Sequence, residues 1–188
     1  IGGLGVITVA VFITKLSGRK IGLMQRSTMQ EAIAAPQMGG IVRTTGFILK
    51  TVAVIEVLGA VALMPVMIPE FGIGTGLWYS LFHSISSFCN AGFDLMGVKE
   101  PYSSLTSYTG NGLVNVVVML LIVVGGIGFL TWDDVKRNRL HLRRYRMQSK
   151  VVLSVTCALI LLPAVYFFLK EYNLPVWEGM TLGEKVFA

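Results

Sequence analysis

Charged residues are scarce in this chain of 188 residues. Only 14% of them are Asp, Glu, Lys or Arg, whereas 54% are hydrophobic. Soluble domains carry about 25% charged residues, so a chain this poor in charge cannot cover its apolar surface with side chains that water solvates. The composition excludes an ordinary soluble domain and predicts a membrane protein.

Groupings of residues that carry catalysis or hold a metal are also scarce. The two cysteines, Cys89 and Cys157, lie in different apolar segments and give no support for a disulfide framework. His83 has no second His or Cys cluster beside it, so a metal site is not predicted there. Asp133 and Asp134 are adjacent acids without a partner nucleophile or base. These residues give little support for a multi-pass membrane enzyme, which we keep as an alternative function. A non-conducting structural membrane subunit is the other alternative.

The net charge of +6 is distributed unevenly along the chain. The stretch 15–50 carries six cations and one acid, and the stretch 132–150 carries seven cations and two acids. The stretch 69–111 between them carries one cation and three acids. This alternation is the positive-inside pattern, and it predicts that the basic stretches are cytoplasmic. It argues against nucleic acid as a partner.

Apolar segments of different lengths divide the chain. Crossing a bilayer takes about 20 residues in a helix, a length that predicts spans over 44–68, 113–132 and 151–169. The stretch 1–14 is shorter, and we expect it to be the end of an inner helix that begins upstream. The apolar stretch 77–88 is too short to cross, which favours a re-entrant half-helix.

An internal repeat supports this division. The octapeptide IGGLGVIT (1–8) shares three glycines and a threonine with VGGIGFLT (124–131). Each copy ends an apolar segment just before a basic stretch, and these stretches, 15–43 and 133–150, are predicted cytoplasmic connections. Parallel repeats of this kind usually surround a central pathway.

The run SISSFCNAGFDLMG (84–97) is the strongest candidate for a functional site. Gly92 permits a left-handed backbone, which a loop needs if it is to line a path with carbonyl oxygens. The half-helix 77–88 would direct the negative end of its dipole at that loop and favour a cation there. An ordinary connection between two helices explains the same residues, and the residues alone leave both interpretations open.

Three glycines in the second copy of the repeat are candidates for a gate. Each glycine weakens a helix by roughly 1 kcal/mol relative to alanine, which predicts a bend or a close helix contact below the loop. These gate candidates are Gly125, Gly126 and Gly128.

A dense run of arginines follows that segment. Attraction to anionic lipid head groups in the bilayer explains such a run, and so does a docking surface for a cytoplasmic regulator. The docking candidates are Arg143, Arg144 and Arg146.

The runs LFHSISSFCNAGFDLMG (81–97), GGIGF (125–129) and GGLG (2–5) resemble the Trk/Ktr/HKT superfamily of potassium transporters. The nearest resemblance is to the membrane subunit of bacterial Ktr systems. It implies an all-α membrane protein built, like a K+ channel, from repeats of transmembrane helix, re-entrant pore half-helix with filter loop, and transmembrane helix. The stretch 44–132 would be a complete second pore repeat, 1–14 the end of the first, and 151–188 the first helix and outer loop of the third.

The resemblance also implies a function and a site. The function is K+ uptake, with Na+ as a candidate coupling ion and no covalently bound cofactor. The full subunit would be a homodimer in the bacterial plasma (inner) membrane, bound to a cytoplasmic ring of nucleotide-binding regulatory subunits. K+ would be coordinated by the backbone carbonyls of Asn90, Ala91, Gly92 and Phe93 (the filter 89–93), with Cys89 as a further candidate.

Overall fold

A computed structural model describes residues 41–99, 101–139 and 141–171. The described residues form α-helices joined by short 3₁₀ turns and irregular segments, without a strand among them. Two of these helices are long and apolar enough to cross a membrane, and a bent helix pair is a third candidate span. This architecture confirms the predicted all-α membrane fold. The predictions for 1–14 and for most of 15–43 lie outside the described residues.

The first helix, α1 (Ile41–Phe71), is longer than the predicted span 44–68 and continues through Pro65 and Pro69. A proline removes one backbone hydrogen bond, a loss that membrane helices tolerate when neighbouring groups compensate. The helix ends where Gly72 adopts a φ of +80°.

The second helix, α2 (Ile73–Phe88), runs back along α1 and begins four residues before the predicted half-helix 77–88. The glycine-rich stretch at its start is therefore helical. Within this stretch, Gly76 lies directly against α1. A Cβ added at Gly76 would be 2.6 Å from the Cα of Ile68 and 2.7 Å from the carbonyl oxygen of Met67. Small residues allow such close approach between helices in a membrane.

The segment after α2 contains two 3₁₀ turns, Met96–Val98 and Thr106–Tyr108, and packs over one end of the helix pair. Lys99 forms an ion pair with Glu70, and the hydroxyl of Tyr108 donates to Glu70 Oε2 at 2.6 Å. Burial raises the pKa of Tyr108, which is consistent with a protonated hydroxyl that donates to Glu70. Beneath these contacts lies an apolar core of Leu63, Met67, Tyr79, Met96, Tyr108 and Val114.

The predicted span 113–132 is not one continuous helix, and it bends within the glycine segment where a bend or a close helix contact was expected. Helix α3 (Gly112–Gly126) is followed after a two-residue break by α4 (Phe129–Asn138), and the two axes differ by 97°. Gly128 has φ +81° and ψ 155°, a backbone region that is essentially restricted to glycine. The break is therefore located at the residue whose backbone can adopt it.

Side chains on both helices stabilise this bend. The indole N–H of Trp132 donates to the carbonyl oxygen of Val124 at 3.1 Å, across the break. The buried Trp132 ring also packs on Phe88, the last residue of α2, with ring centroids 5.7 Å apart. From α4, the ammonium of Lys136 lies 3.5 Å from the ring centroid of Phe47 on α1. Contacts with α1 and α2 thus hold the bend in place.

The predicted loop 133–150 is also more regular than expected. It contains most of α4, a 3₁₀ turn at Leu142–Arg144 and the start of α5 (Met147–Glu171). The reason is Asp134, whose Oδ2 accepts from the hydroxyl of Ser149 at 2.6 Å and from the N–H of Arg146 at 3.0 Å. A carboxylate in this position stabilises a helix N-terminus.

The charge of Asp134 is favoured by these contacts. Its burial opposes ionisation, but the bonds from Ser149 and Arg146 and the charges of Arg146 and Arg137 outweigh burial and lower the pKa of Asp134. Beyond this anchored start, α5 is largely exposed and apolar, which suits contact with lipid or with further protein segments.

The close approach of α1 and α2 leads to a stability prediction for the full-length protein. Gly76→Ala is expected to lower the free energy of unfolding by about 1–3 kcal/mol, because the added methyl group overpacks against backbone atoms that cannot move away. Thermal unfolding in detergent measures this difference.

Gly74→Ala is the matched control, since Gly74 lies in the same helical turn and an added Cβ meets nothing within 4 Å. This variant should keep or slightly raise the unfolding midpoint because alanine favours the helix. Equal midpoints for the two variants would contradict the tight contact.

Candidate functional site

The loop 89–94 follows the end of α2 and reverses the direction of the chain. Asn90 has a φ of 52° and Gly92 a φ of 71°. Asparagine tolerates the left-handed region better than most residues, and glycine enters it at no steric cost. A Cβ at Gly92 would meet nothing within 4 Å, so glycine is required here for its backbone conformation and not for lack of space.

The N–H groups at the start of this loop are used by α2. Asn90 N donates to the carbonyl of Ser87 at 3.1 Å, and Ala91 N donates to the carbonyl of Ser86 at 2.9 Å. Together with Cys89 N, which donates to the carbonyl of Ile85 at 2.9 Å, these bonds pair the carbonyls of residues 85–87 at the end of α2. The carbonyl oxygens of Phe88 and of the loop itself are the groups that remain.

Four consecutive carbonyls of the loop receive no hydrogen bond from any described residue. They belong to Cys89, Asn90, Ala91 and Gly92. Asn90 and Gly92 are exposed, and Cys89 and Ala91 are half-buried. At membrane depth, away from bulk water, an unpaired carbonyl in such a position is costly. A row of backbone carbonyls can instead replace the hydration shell of a cation, as in channel filters. This part of the loop is therefore chemically suited to bind a dehydrated monovalent cation.

Phe93, a predicted ligand, differs from these four residues. Its carbonyl oxygen accepts a hydrogen bond from the hydroxyl of Ser86 at 2.6 Å and is thereby held towards α2. The letters NAGF do not reveal this difference, because the direction of a carbonyl depends on a side chain seven residues earlier. Cys89, predicted as a marginal ligand, groups with the unpaired carbonyls instead.

A cavity of about 240 Å³ lies beside the loop. It is large enough for several water molecules. Polar side chains from the loop and from the neighbouring segment contribute to its lining, among them Asn90, Asp94 and Ser104. Asp94 also forms a local turn, since its Oδ1 accepts from Met96 N at 2.9 Å.

The three gate candidates have three different surroundings. A Cβ at Gly125 would overlap the carbonyl oxygen of Phe88 and lie 2.9 Å from its carbonyl carbon, so α3 rests directly on the end of α2. A Cβ at Gly126 would meet only Asn90 Nδ2, at 3.8 Å. Gly128 provides the positive φ of the bend. Gly125 thus supports the loop and Gly128 shapes the bend, while movement at either place stays a prediction.

Asn90 connects the loop to α3 through its side chain. Its Nδ2 donates to the carbonyl oxygen of Ile122 at 3.3 Å. Together with the contact at Gly125, this bond places α3 behind the loop as a support. Sequence reasoning considered only the backbone of Asn90 and missed the role of its amide.

The three docking candidates also differ in their contacts. The guanidinium of Arg146 lies 3.2 Å from Asp133 and 3.7 Å from Asp134, so it takes part in the anchoring of α5. Arg143 and Arg144 are exposed, and their guanidinium groups have no acidic partner among the described residues. These two remain available to a partner molecule.

Comparison with known proteins gives a consistent result. A family model described as a cation transport protein, TrkH, matches residues 1–169. The potassium/sodium uptake protein NtpJ of Enterococcus hirae is 39% identical over 188 residues, which is the whole of this chain and 39% of that protein. The Ktr system potassium uptake protein B of Bacillus subtilis is 38% identical over 189 residues, covering all of this chain and 41% of that protein.

A protein of the same name from Vibrio alginolyticus is 34% identical over 185 residues, covering 97% of this chain and 40% of that protein. The chain therefore spans about 40% of the length of the curated relatives it matches.

The support that α3 gives to the loop leads to a second prediction. Gly125→Ala in the full-length protein should lower the free energy of unfolding by about 1–3 kcal/mol, because the methyl group must displace the end of α2. Thermal unfolding in detergent measures this effect.

Gly126→Ala is the control at the neighbouring position, where the added methyl group meets only a side-chain nitrogen. It should keep the unfolding midpoint of the wild type. Equal losses of stability in both variants would contradict the contact between Gly125 and the end of α2.

Proposed function

The chain belongs to the family of TrkH cation transport proteins, and from that premise we propose that the full-length protein takes up K+ across the membrane. The loop after α2 forms one segment of its selectivity filter. The ligands are the carbonyl oxygens of Cys89, Asn90, Ala91 and Gly92, whereas Phe93 contributes to the support of the filter.

One observation carries this proposal: four adjacent carbonyls lack a donor in the described protein, at the C-terminal end of a helix that is too short to cross a membrane. The negative end of the helix dipole adds to the attraction for a cation at this point. The family description and the names of the relatives concern transport, which favours this function over a membrane enzyme or a non-conducting subunit.

The name of the Enterococcus relative includes both potassium and sodium. For this chain we take K+ as the transported substrate and Na+ as a candidate coupling ion. A single loop provides only part of a closed ring of ligands. The stretch 44–132 is accordingly one complete pore repeat, with the end of a preceding repeat in 1–14 and the start of a following one in 151–188.

The full subunit works as a homodimer in the bacterial plasma membrane, with its basic connections on the cytoplasmic side. The charge distribution supports this orientation. A ring of nucleotide-binding regulatory subunits is the partner on that side, and the names of the Ktr relatives, which are parts of a system, agree with a multi-component transporter. Arg143 and Arg144 are the docking candidates because their charges are not used within the described protein.

Substitution of Gly92 tests the filter. Gly92→Val should abolish K+ uptake while the protein still reaches the membrane, since a β-branched residue strongly disfavours a positive φ. Gly92→Ser should mainly reduce the preference for K+ over Na+. Uptake of each ion by proteoliposomes containing the full-length protein measures both effects.

Gly97→Val is the matched control, because Gly97 lies in the adjacent 3₁₀ turn without a positive φ and without atoms near an added Cβ. It should transport normally. Normal uptake and selectivity in Gly92→Val would remove the filter assignment.

Charge reversal at Arg143 and Arg144 tests the docking surface. The double variant Arg143→Glu/Arg144→Glu should weaken binding of the regulatory subunit at least roughly tenfold, since reversed rim charges repel a complementary partner. Unfolding should be unaffected. Titration of the purified regulatory subunit against the full-length membrane protein in detergent provides the affinity.

Arg146→Glu is the contrasting variant. It places a third acid beside Asp133 and Asp134, and so it should lower the unfolding midpoint. If the double variant binds the regulator normally but loses affinity for vesicles with anionic lipids, the arginines serve the membrane surface and the regulator docks elsewhere.

A further inference from the structure

Two side chains of α2 reach the limb of the loop that leaves the candidate filter. Ser86 is 7% exposed, and its hydroxyl donates to the carbonyl oxygen of Phe93 at 2.6 Å. His83 is 2% exposed, and its Nε2 lies 3.3 Å from the backbone N of Leu95. The two residues are one helical turn apart and hold two points of the same short segment.

The hydrogen bonds of His83 define its protonation pattern. Its Nδ1 lies 2.7 Å from the carbonyl oxygen of Tyr79, which can only accept, so Nδ1 carries the hydrogen. Its Nε2 faces the N–H of Leu95, which can only donate, so Nε2 is the acceptor. The neutral ring thus connects the backbone of α2 to the backbone of the outgoing limb.

Hydrogen bonds to α2 attach the loop on both sides of the carbonyls assigned to cation binding. The incoming side of the loop is fixed by the two N–H bonds to the end of α2. The outgoing side has only Ser86 and His83 to connect it to α2 by side-chain hydrogen bonds in the described residues. Between these attachments, Gly92 has a positive φ and no neighbouring atom at its Cβ position, so local packing does not hold it.

We propose that His83 and Ser86 are positioning residues that set the preference for K+ over Na+. This inference rests on the proposed filter. Discrimination between the two ions depends on the size of the carbonyl cage or on the number and field strength of its dipoles. A limb attached at Phe93 and Leu95 prevents the carbonyls from closing around the smaller ion, and a detached limb allows them to do so.

Another serine of α2 provides an internal comparison. Ser80 is completely buried, but its hydroxyl donates to the carbonyl oxygen of Gly76 within the same helix, at 2.8 Å. Ser80 therefore has the same side chain as Ser86 and a comparable burial, but its hydroxyl does not donate to the loop. Ser80→Ala is the matched control for Ser86→Ala.

The test compares K+ and Na+ uptake by proteoliposomes containing the full-length protein. Ser86→Ala should lower the ratio of K+ to Na+ uptake roughly two- to tenfold, the range expected for one net hydrogen bond. His83→Leu should lower the ratio similarly. His83→Gln should lie closer to the wild type, because its side-chain oxygen can accept from the N–H of Leu95. Ser80→Ala should leave the ratio unchanged.

Gly92→Ser in the same assay separates this inference from the filter assignment itself. If Gly92→Ser lowers the ratio and Ser86→Ala does not, the filter assignment stands and the positioning role is wrong. If neither variant changes the ratio, both are wrong. A loss of selectivity in Ser80→Ala equal to that in Ser86→Ala would attribute the effect to general packing of α2 and overturn the proposal.

Discussion

A chain that turns back at membrane depth must satisfy its backbone polar groups without the help of water. The end of α2 meets this constraint with its own atoms: its last turn accepts the N–H groups of Asn90 and Ala91, and Ser86 and His83 bind the outgoing limb. Four adjacent carbonyls are left over. The hydrogen bonds that stabilise the turn therefore also determine which oxygens are available to a cation, and the fold and the proposed site have a single physical origin.

Close contacts at glycine place the other helices around this turn. Gly76 brings the start of α2 against α1, and Gly125 brings α3 against the end of α2. The same α3 bends by 97° at Gly128, and Trp132 beyond the bend packs under Phe88. Helix α3 thus supports the loop and also leads into the bend below it. Any motion of the bend would be transmitted to the last residue of α2, so a gate in this region would be mechanically coupled to the filter.

Much of the fold was predictable from the sequence, because composition, segment length and loop charge report the membrane environment directly. The left-handed backbone at Gly92 was predictable, because it is a local property of glycine, whereas the proposal that this loop is a filter came from the family resemblance. The three glycines predicted a bend or a close helix contact in the span 113–132, and the break falls at one of them, Gly128. Two features were not predictable, since each depends on contacts between distant residues. The regular structure of 133–150 needs Asp134 at the start of α5, and the orientation of the Phe93 carbonyl needs Ser86.

The proposed ligands are backbone atoms, which side-chain substitution cannot remove one at a time. Locating the ion is therefore the most direct measurement, and Tl+ is a suitable substitute for K+ because it scatters X-rays and electrons strongly. In a structure of the full-length protein determined in Tl+, we expect ion density in direct contact with the carbonyl oxygens of residues 89–92 and none at the carbonyl of Phe93. Ion density found only at other places in the protein, with these four oxygens bonded to protein groups, would contradict the assignment.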